Sequence, residues 1–215
     1  MLKVGIIGAN GQAGALIAKA ATVRNMAVTA IVRHPVEGDT TYPVIQKDLF
    51  ALTQADIIDF DVLVCATAFW TEVEKFETSM THLIDILQGT SVHLMVVGGA
   101  GSLYMDESRT TRLKDTKDFE PDYKPVADAM TKGLEKLKAS TDVVWTYVSP
   151  AADFTPMGGL TSHYVINGDV FTTNEDGKSF LSYADYAQAF VTIMTDKKYL
   201  NRQISVHHVE NITCL

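Results

Sequence analysis

Short apolar, β-branched runs alternate with longer stretches of helical periodicity along almost the whole chain. The runs at 3–7, 27–33, 43–47, 62–66, 93–98, 143–149 and 203–209 read as strands. Between them, residues 11–24, 53–59, 72–88, 125–139 and 183–195 carry apolar positions at helical spacing. Strand and helix in strict alternation predict a parallel sheet with helices on both faces, and right-handed crossovers make it doubly wound. Ligands of such sheets bind at the carboxyl ends of the strands. Two stretches break the alternation. Residues 100–121 are polar and charged, long for a plain turn, and loops of that length are usually functional or mobile. Residues 151–178 carry Pro156 and several glycines, with segments 163–166 and 170–173 that read as hairpin strands. They are expected to form a small lobe over the site, within one domain spanning 1–215.

The first strand ends in Gly8-Ala9-Asn10-Gly11-Gln12-Ala13-Gly14, three glycines spaced three apart, and helix-forming residues follow at once. Strand, tight turn and helix form the context of a dinucleotide phosphate site. Glycine permits a sharp turn and close approach of a pyrophosphate to the backbone, while the helix start offers free N–H groups and a positive dipole end. A glycine-rich turn without a ligand is the plainer alternative.

The other strand ends supply further candidates. Arg33 ends the second strand, where an acidic residue favours the ribose hydroxyl of NAD and an arginine suits a 2′-phosphate. The predicted cofactor is therefore NADPH, with NADH the lesser one; the alternative for Arg33 is a solvated strand end. His34 beside it either touches the adenosine ribose or lies in a solvated loop. Asp48 and Leu49 after the third strand fit an adenine pocket, and equally a helix cap near Thr53. Ala66, Thr67 and Ala68 are small enough for backbone to approach the pyrophosphate and ribose. Gly98 and Gly99 would keep one face of the nicotinamide open, and Ser149 and Pro150 would frame its amide. Tyr123 and Phe154 are candidates to border an acceptor, with Phe69 and Trp70 as a further apolar wall or as helix packing.

Composition narrows the class. The 215 residues carry a net charge of −8 with no basic cluster, which argues against a nucleic-acid partner. No apolar run is long enough for a membrane span, and the chain opens on a core strand without a signal-peptide pattern. Cys65 and Cys214 lie far apart and no metal-type spacing occurs, so no metal is expected. His207 and His208 are adjacent in a strand and point to opposite faces. His93 sits in a core strand, and His163 is a lesser candidate to reach a substrate. A cytoplasmic protein, monomer or homodimer, is the expectation.

The glycine turn, Ile31-Val32-Arg33, Val96-Val97-Gly98-Gly99-Ala100-Gly101-Ser102, Trp145-Thr146-Tyr147-Val148-Ser149-Pro150-Ala151 and Ser182-Tyr183-Ala184-Asp185-Tyr186-Ala187 together resemble the atypical short-chain dehydrogenases/reductases. More closely, the chain is similar over its whole length to the NmrA-like NAD(P)H–flavin reductase group related to biliverdin reductase B. That resemblance implies a Rossmann fold and NADPH binding. One departure carries weight. Conventional members use a tyrosine with a lysine four positions later, and none of the eight tyrosines has one. Tyr123 is followed by Ala127, Tyr147 by Ala151, and Tyr183 by Ala187. The missing pair argues against alcohol–ketone chemistry by that route, whereas reduction of a flavin or quinone needs alignment of donor and acceptor, and solvent can supply the proton. The leading expectation is hydride transfer from NADPH to such a small flat acceptor. A non-enzymatic redox sensor is the alternative, motivated by the missing pair and the 100–121 loop. A sugar-nucleotide epimerase or dehydratase is a weaker third.

Overall fold

The structure is a computed structural model, and it describes residues 1–34 and 41–209; Cys214 lies outside them. Its element order is β1 (Lys3–Ile7), α1 (Gln12–Val23), β2 (Ala27–Val32), β3 (Val44–Gln46), α2 (Gln54–Ile57), β4 (Val62–Cys65), α3 (Lys75–Leu87), β5 (His93–Val97), α4 (Lys124–Ala139), β6 (Val144–Ser149), β7 (Asp153–Thr155), β8 (Tyr164–Asn167), β9 (Phe180–Ser182), α5 (Tyr183–Met194) and β10 (Arg202–His208). The main sheet runs β3-β2-β1-β4-β5-β6-β10-β8. All its pairings are parallel except the last, where β8 runs antiparallel to β10. The order reverses between β1 and β4, which makes that pair the topological switch point of a Rossmann-like fold.

Two apolar layers hold the sheet. Helices α1 and α5 pack together on one face, over Val4, Ile6, Val28, Val64, Met95, Val148 and Ile204. Helices α3 and α4 pack on the other, over Ile7, Ile31, Leu63, Leu94, Trp145 and Tyr147. Strands covered on both faces explain the continuous β-branched runs of the sequence. Gly133 of α4 lets the two helices of the second layer meet closely, since a Cβ there would lie 3.0 Å from the Phe76 carbonyl.

Two expectations need correction, and one pairing is new. Residues 163–166 and 170–173 form no hairpin: β8 joins the main sheet through β10, while Val170 makes only an isolated bridge to Tyr104. The ladder groups of the β10 edge are satisfied by β8 rather than by a local partner. A small parallel pair, β7 with β9, was not anticipated because each strand has only three residues. Residues 100–121 are not a free loop. Tyr104 N–H donates to the Asp169 carbonyl at 2.9 Å, and Phe171 N–H donates to the Tyr104 carbonyl at 2.7 Å. Arg112 reaches Glu135 of α4 at 2.5 Å and the Tyr104 hydroxyl at 3.1 Å, and Lys114 reaches Asp128 at 2.8 Å. Arg112, Lys114 and Asp115 tie it to α4, and Arg109 ties it to Asp169.

Adjacent strand histidines diverge as β pleating requires. His207 Nδ1 lies 2.9 Å from the Thr172 hydroxyl, and His208 Nδ1 lies 3.9 Å from the buried Asp185 carboxylate. His93 is buried against Thr146, 2.8 Å from its hydroxyl, which itself donates to the Tyr199 carbonyl at 2.9 Å. The imidazole therefore donates from Nε2 and is neutral. Burial holds it down at about 4.

A histidine lowered on folding takes its proton first in the unfolded chain. Its contribution to stability is complete above pH 6.5 and declines as the pH falls towards about 4. His93→Gln should flatten the loss of stability across that window in urea melts taken at successive pH values. A parallel decline in both proteins would refute it.

Candidate active site

The carboxyl ends of β1, β2, β4, β5 and β6 open into one cleft of about 1110 Å³. Its floor begins at the first βα turn. Gly8 has φ of 80°, a left-handed conformation, and its N–H continues the ladder to the Ile31 carbonyl at 3.0 Å. Gly11 N–H closes the turn on the Gly8 carbonyl at 2.9 Å. A Cβ on Gly8 would lie 2.7 Å from the Ala66 carbonyl, and one on Gly14 would collide with the Gly8 carbonyl. The glycines thus let α1 start directly against the ends of β1 and β4.

Helix α1 has Gly11 at its N-cap, no side-chain cap and no acidic residue in its first turn. Its leading N–H groups are left to whatever enters the cleft, and the helix dipole favours an anion there. Asn10, Gly11, Gln12 and Ala13 line that end. Arg33 is exposed on the same wall and forms no ion pair with other described residues. Asp48 and Leu49 also line it, with one Asp48 oxygen occupied by the Phe50 N–H at 2.9 Å. The cap of α2 comes instead from Thr53 and Asp56. Lys47 grips Asp56 at 2.6 Å, which holds that carboxyl down at about 2 and fixes the segment carrying Asp48.

The middle of the cleft is made of Ala66, Thr67 and Ala68, then Val97, Gly98 and Gly99, and opposite them Pro150 to Phe154. Cys65 lies just beneath, its Sγ 3.4 Å from the Thr67 hydroxyl; burial pushes its thiol up, so it is no nucleophile. Gly98 has a reason beyond an open face: the Tyr147 ring lies so close that a Cβ would overlap it. Burial also raises the Tyr147 hydroxyl well above the ordinary tyrosine range. This tyrosine is a packing residue and a poor acid.

Most of the anticipated residues converge on the cleft: Gly8, Asn10, Gly11, Gln12, Ala13, Arg33, Asp48, Leu49, Ala66, Thr67, Ala68, Gly98, Gly99, Tyr123, Pro150 and Phe154. Four do not. Ala9 packs into the core under α1. Gly14 faces the Gly8 carbonyl rather than the opening. His34 is exposed but outside the lining, and Ser149 is fully buried, its hydroxyl 3.1 Å from Gln203 Nε2. Each was placed by its neighbour in sequence, whereas strand pleat and helix start turn alternate residues away.

Of the far wall, the sequence pointed to Phe69, Trp70 and Tyr123 and missed the rest. Phe76, Phe119, Val126 and Met130 line it, with Phe69 and Trp70. Tyr123, Val126, Ala127 and Met130 fall on one face of the first turns of α4, a spacing visible in the sequence. What pointed nowhere was the direction of that face.

Residues 8–197 match the model of the NAD(P)H-binding family. The chain belongs to this family. A Bacillus subtilis relative, the uncharacterized protein YwnB, is 39% identical over 208 residues, covering 95% of this chain and 98% of that one. A Streptococcus pneumoniae structure bearing the name "putative NADH-flavin reductase" superimposes with a TM-score of 0.93 at 41% identity, covering 97% of this chain and all of the other. A Bacteroides thetaiotaomicron structure named as an epimerase superimposes with a TM-score of 0.86 at 26% identity, covering 98% of each chain. The residues of the cleft fit the dinucleotide that family membership implies. Uncapped helix N–H groups and an absence of Cβ atoms at the turn suit a pyrophosphate.

Gly98→Ala should cost about 1–3 kcal/mol, the usual range for overpacking. Tyr147→Leu in the same chain should reduce that cost, as a double-mutant cycle by urea denaturation would show. Strict additivity of the two changes would mean that the ring does not set the glycine.

Proposed function

We propose that this protein is an NADPH-dependent reductase that passes hydride to a flat conjugated acceptor such as a flavin or a quinone. The observation that carries this reading is the continuity of one cleft from the α1 N-terminus, past Arg33, to an aromatic far end. A bound dihydronicotinamide supplies a hydride, and with one proton from water a quinone becomes a hydroquinone while the nicotinamide is oxidised. The chain's own residues bind and orient. The glycine turn and helix start hold the pyrophosphate, Arg33 pairs with the 2′-phosphate, and Asp48 and Leu49 border the adenine. Thr67 and Ala68 flank the central ribose, and Gly98, Gly99 and Pro150 frame the nicotinamide. Apolar walls lie beyond, and positioning of donor and acceptor does the catalytic work.

The name of the Streptococcus pneumoniae neighbour supports a flavin acceptor; its NADH differs from the NADPH preference argued here from Arg33. Epimerase chemistry has the Bacteroides thetaiotaomicron neighbour's name in its favour, but the chain has no tyrosine–lysine pair. The redox-sensor alternative keeps the missing tyrosine–lysine pair but loses its second motive, because the 100–121 loop is tied to α4 by Arg112 and Lys114.

NADPH oxidation followed by absorbance, with FMN, riboflavin and a simple quinone as acceptors, tests the reaction. Saturable turnover is expected with at least one of them. Arg33→Ala should weaken NADPH by about tenfold or more, the loss of a charge-assisted phosphate contact, and NADH by less than about twofold. Equal losses would remove the selectivity; absence of turnover with every acceptor would remove the reductase.

A further inference from the structure

The cleft is larger than the dinucleotide site read from its glycines, and its surplus lies in one place. Beyond Gly99 and Gly101, the segment before α3 and the first turns of α4 face each other across a slot. Its depth is set by two close approaches. Met130 Sδ lies 3.1 Å from where a Gly99 Cβ would stand, and Phe119 Cζ lies 3.6 Å from the equivalent point on Gly101. Phe76 and Val126 complete the inner wall. At the mouth, Trp70 and Tyr123 meet edge to face at 6.5 Å, and both are more than half exposed, 65% and 57%. Large aromatic groups held at the rim of an apolar slot form a plate and an edge against which a ring can lie.

Charge decides what kind of ring. Among the described residues lining the slot between the 69–76 segment and the α4 face, Lys75 is the one charged side chain, and Glu72 holds it at 2.6 Å. No other cation there is available to a phosphate or sulfonate. The inner wall likewise presents no polar side chain to the amide-like edge of an isoalloxazine, whose donors and acceptors would be buried without partners. An uncharged ring with few polar atoms meets no such cost.

Resting on the reductase reading for its place beside the nicotinamide, we propose that the slot between the 69–76 segment and the α4 face is the acceptor subsite, and that it selects uncharged quinone-class rings over anionic or phosphate-bearing acceptors. Val126 and Met130 are then specificity-determining residues, and Trp70 and Tyr123 the stacking rim.

The test separates binding from turnover. With NADP⁺ present, so that no reduction occurs, quenching of Trp70 fluorescence reports occupancy of the slot; Trp70→Phe identifies the signal, since the other tryptophan, Trp145, is buried. The probes are 2-methyl-1,4-naphthoquinone and a sulfonated naphthoquinone of similar size. The neutral probe is expected to bind at least about tenfold more tightly, because the sulfonate loses hydration without gaining a partner. Val126→Lys should reverse that order while NADP⁺ affinity stays within about twofold. Tyr123→Lys, at an exposed position, should shift it in the same direction should the first variant fold poorly. Equal affinity of the two probes, or an order unmoved by both lysine variants, would overturn the subsite. If the binding order holds and NADPH is oxidised with neither probe, the slot stands and the reductase falls.

Discussion

The site depends on how closely α1 can approach the end of β1. A helix laid against two strand ends must bring its first turn within van der Waals distance of backbone carbonyls, and any side chain at the contact would hold it off. Here Gly8 and Gly14 supply the approach: one would strike the Ala66 carbonyl with a Cβ, the other the Gly8 carbonyl. Because α1 starts there, its uncapped N–H groups open at the switch point rather than into solvent. Ala9, Ile17, Ala18 and Ala21 then anchor the helix in the layer shared with α5. The position of the uncapped helix start is thus a by-product of packing against α5, an apolar contact with Arg24 bonded to Thr192 at its edge.

The opposite face of the sheet solves a different problem. The carboxyl ends of β5 and β6 must carry a backbone open to the cleft above while remaining packed below. Tyr147 fills the space under Gly98, and Gln203 Nε2 donates to Ser102 at 2.8 Å and to Ser149 at 3.1 Å, while Gln203 Oε1 and the Tyr147 hydroxyl are buried without a partner among the described residues. The 100–121 segment continues this cover. Its ion pairs with α4 are partly exposed and each contributes little alone, but they combine with the backbone ladder through Tyr104, Asp169 and Phe171. The result is a far wall built from α3, α4 and the segments beside them, with the two helices sharing one core cluster.

That division explains what reading the chain could reach. The glycine turn, Arg33, the small residues after β4 and the glycines after β5 are local signals, each lying next to a strand end that its own periodicity announces. Ser149, Ala9, Gly14 and His34 sit in the same neighbourhoods and yet leave the cleft, because pleat and helix phase send neighbouring side chains in opposite directions. Phe76, Phe119, Val126 and Met130 come from three separate segments. Their apolar character is equally what a core requires, so nothing in their spacing distinguishes a wall from an interior.

The sequence by itself determined the α/β alternation and the position of the first βα turn, and it marked most of the strand-end residues that line the cleft. These follow from periods of two and 3.6 residues and from glycine's missing side chain, which are properties of short stretches. Tertiary structure alone decided that β8 closes the sheet antiparallel to β10, that the 100–121 segment is a tied cover, and that an apolar slot stands at the far end of the cleft. Those outcomes depend on which distant surfaces meet, and the physical cost that selects among them is the burial of whole faces and ladder groups, summed over residues far apart in the chain.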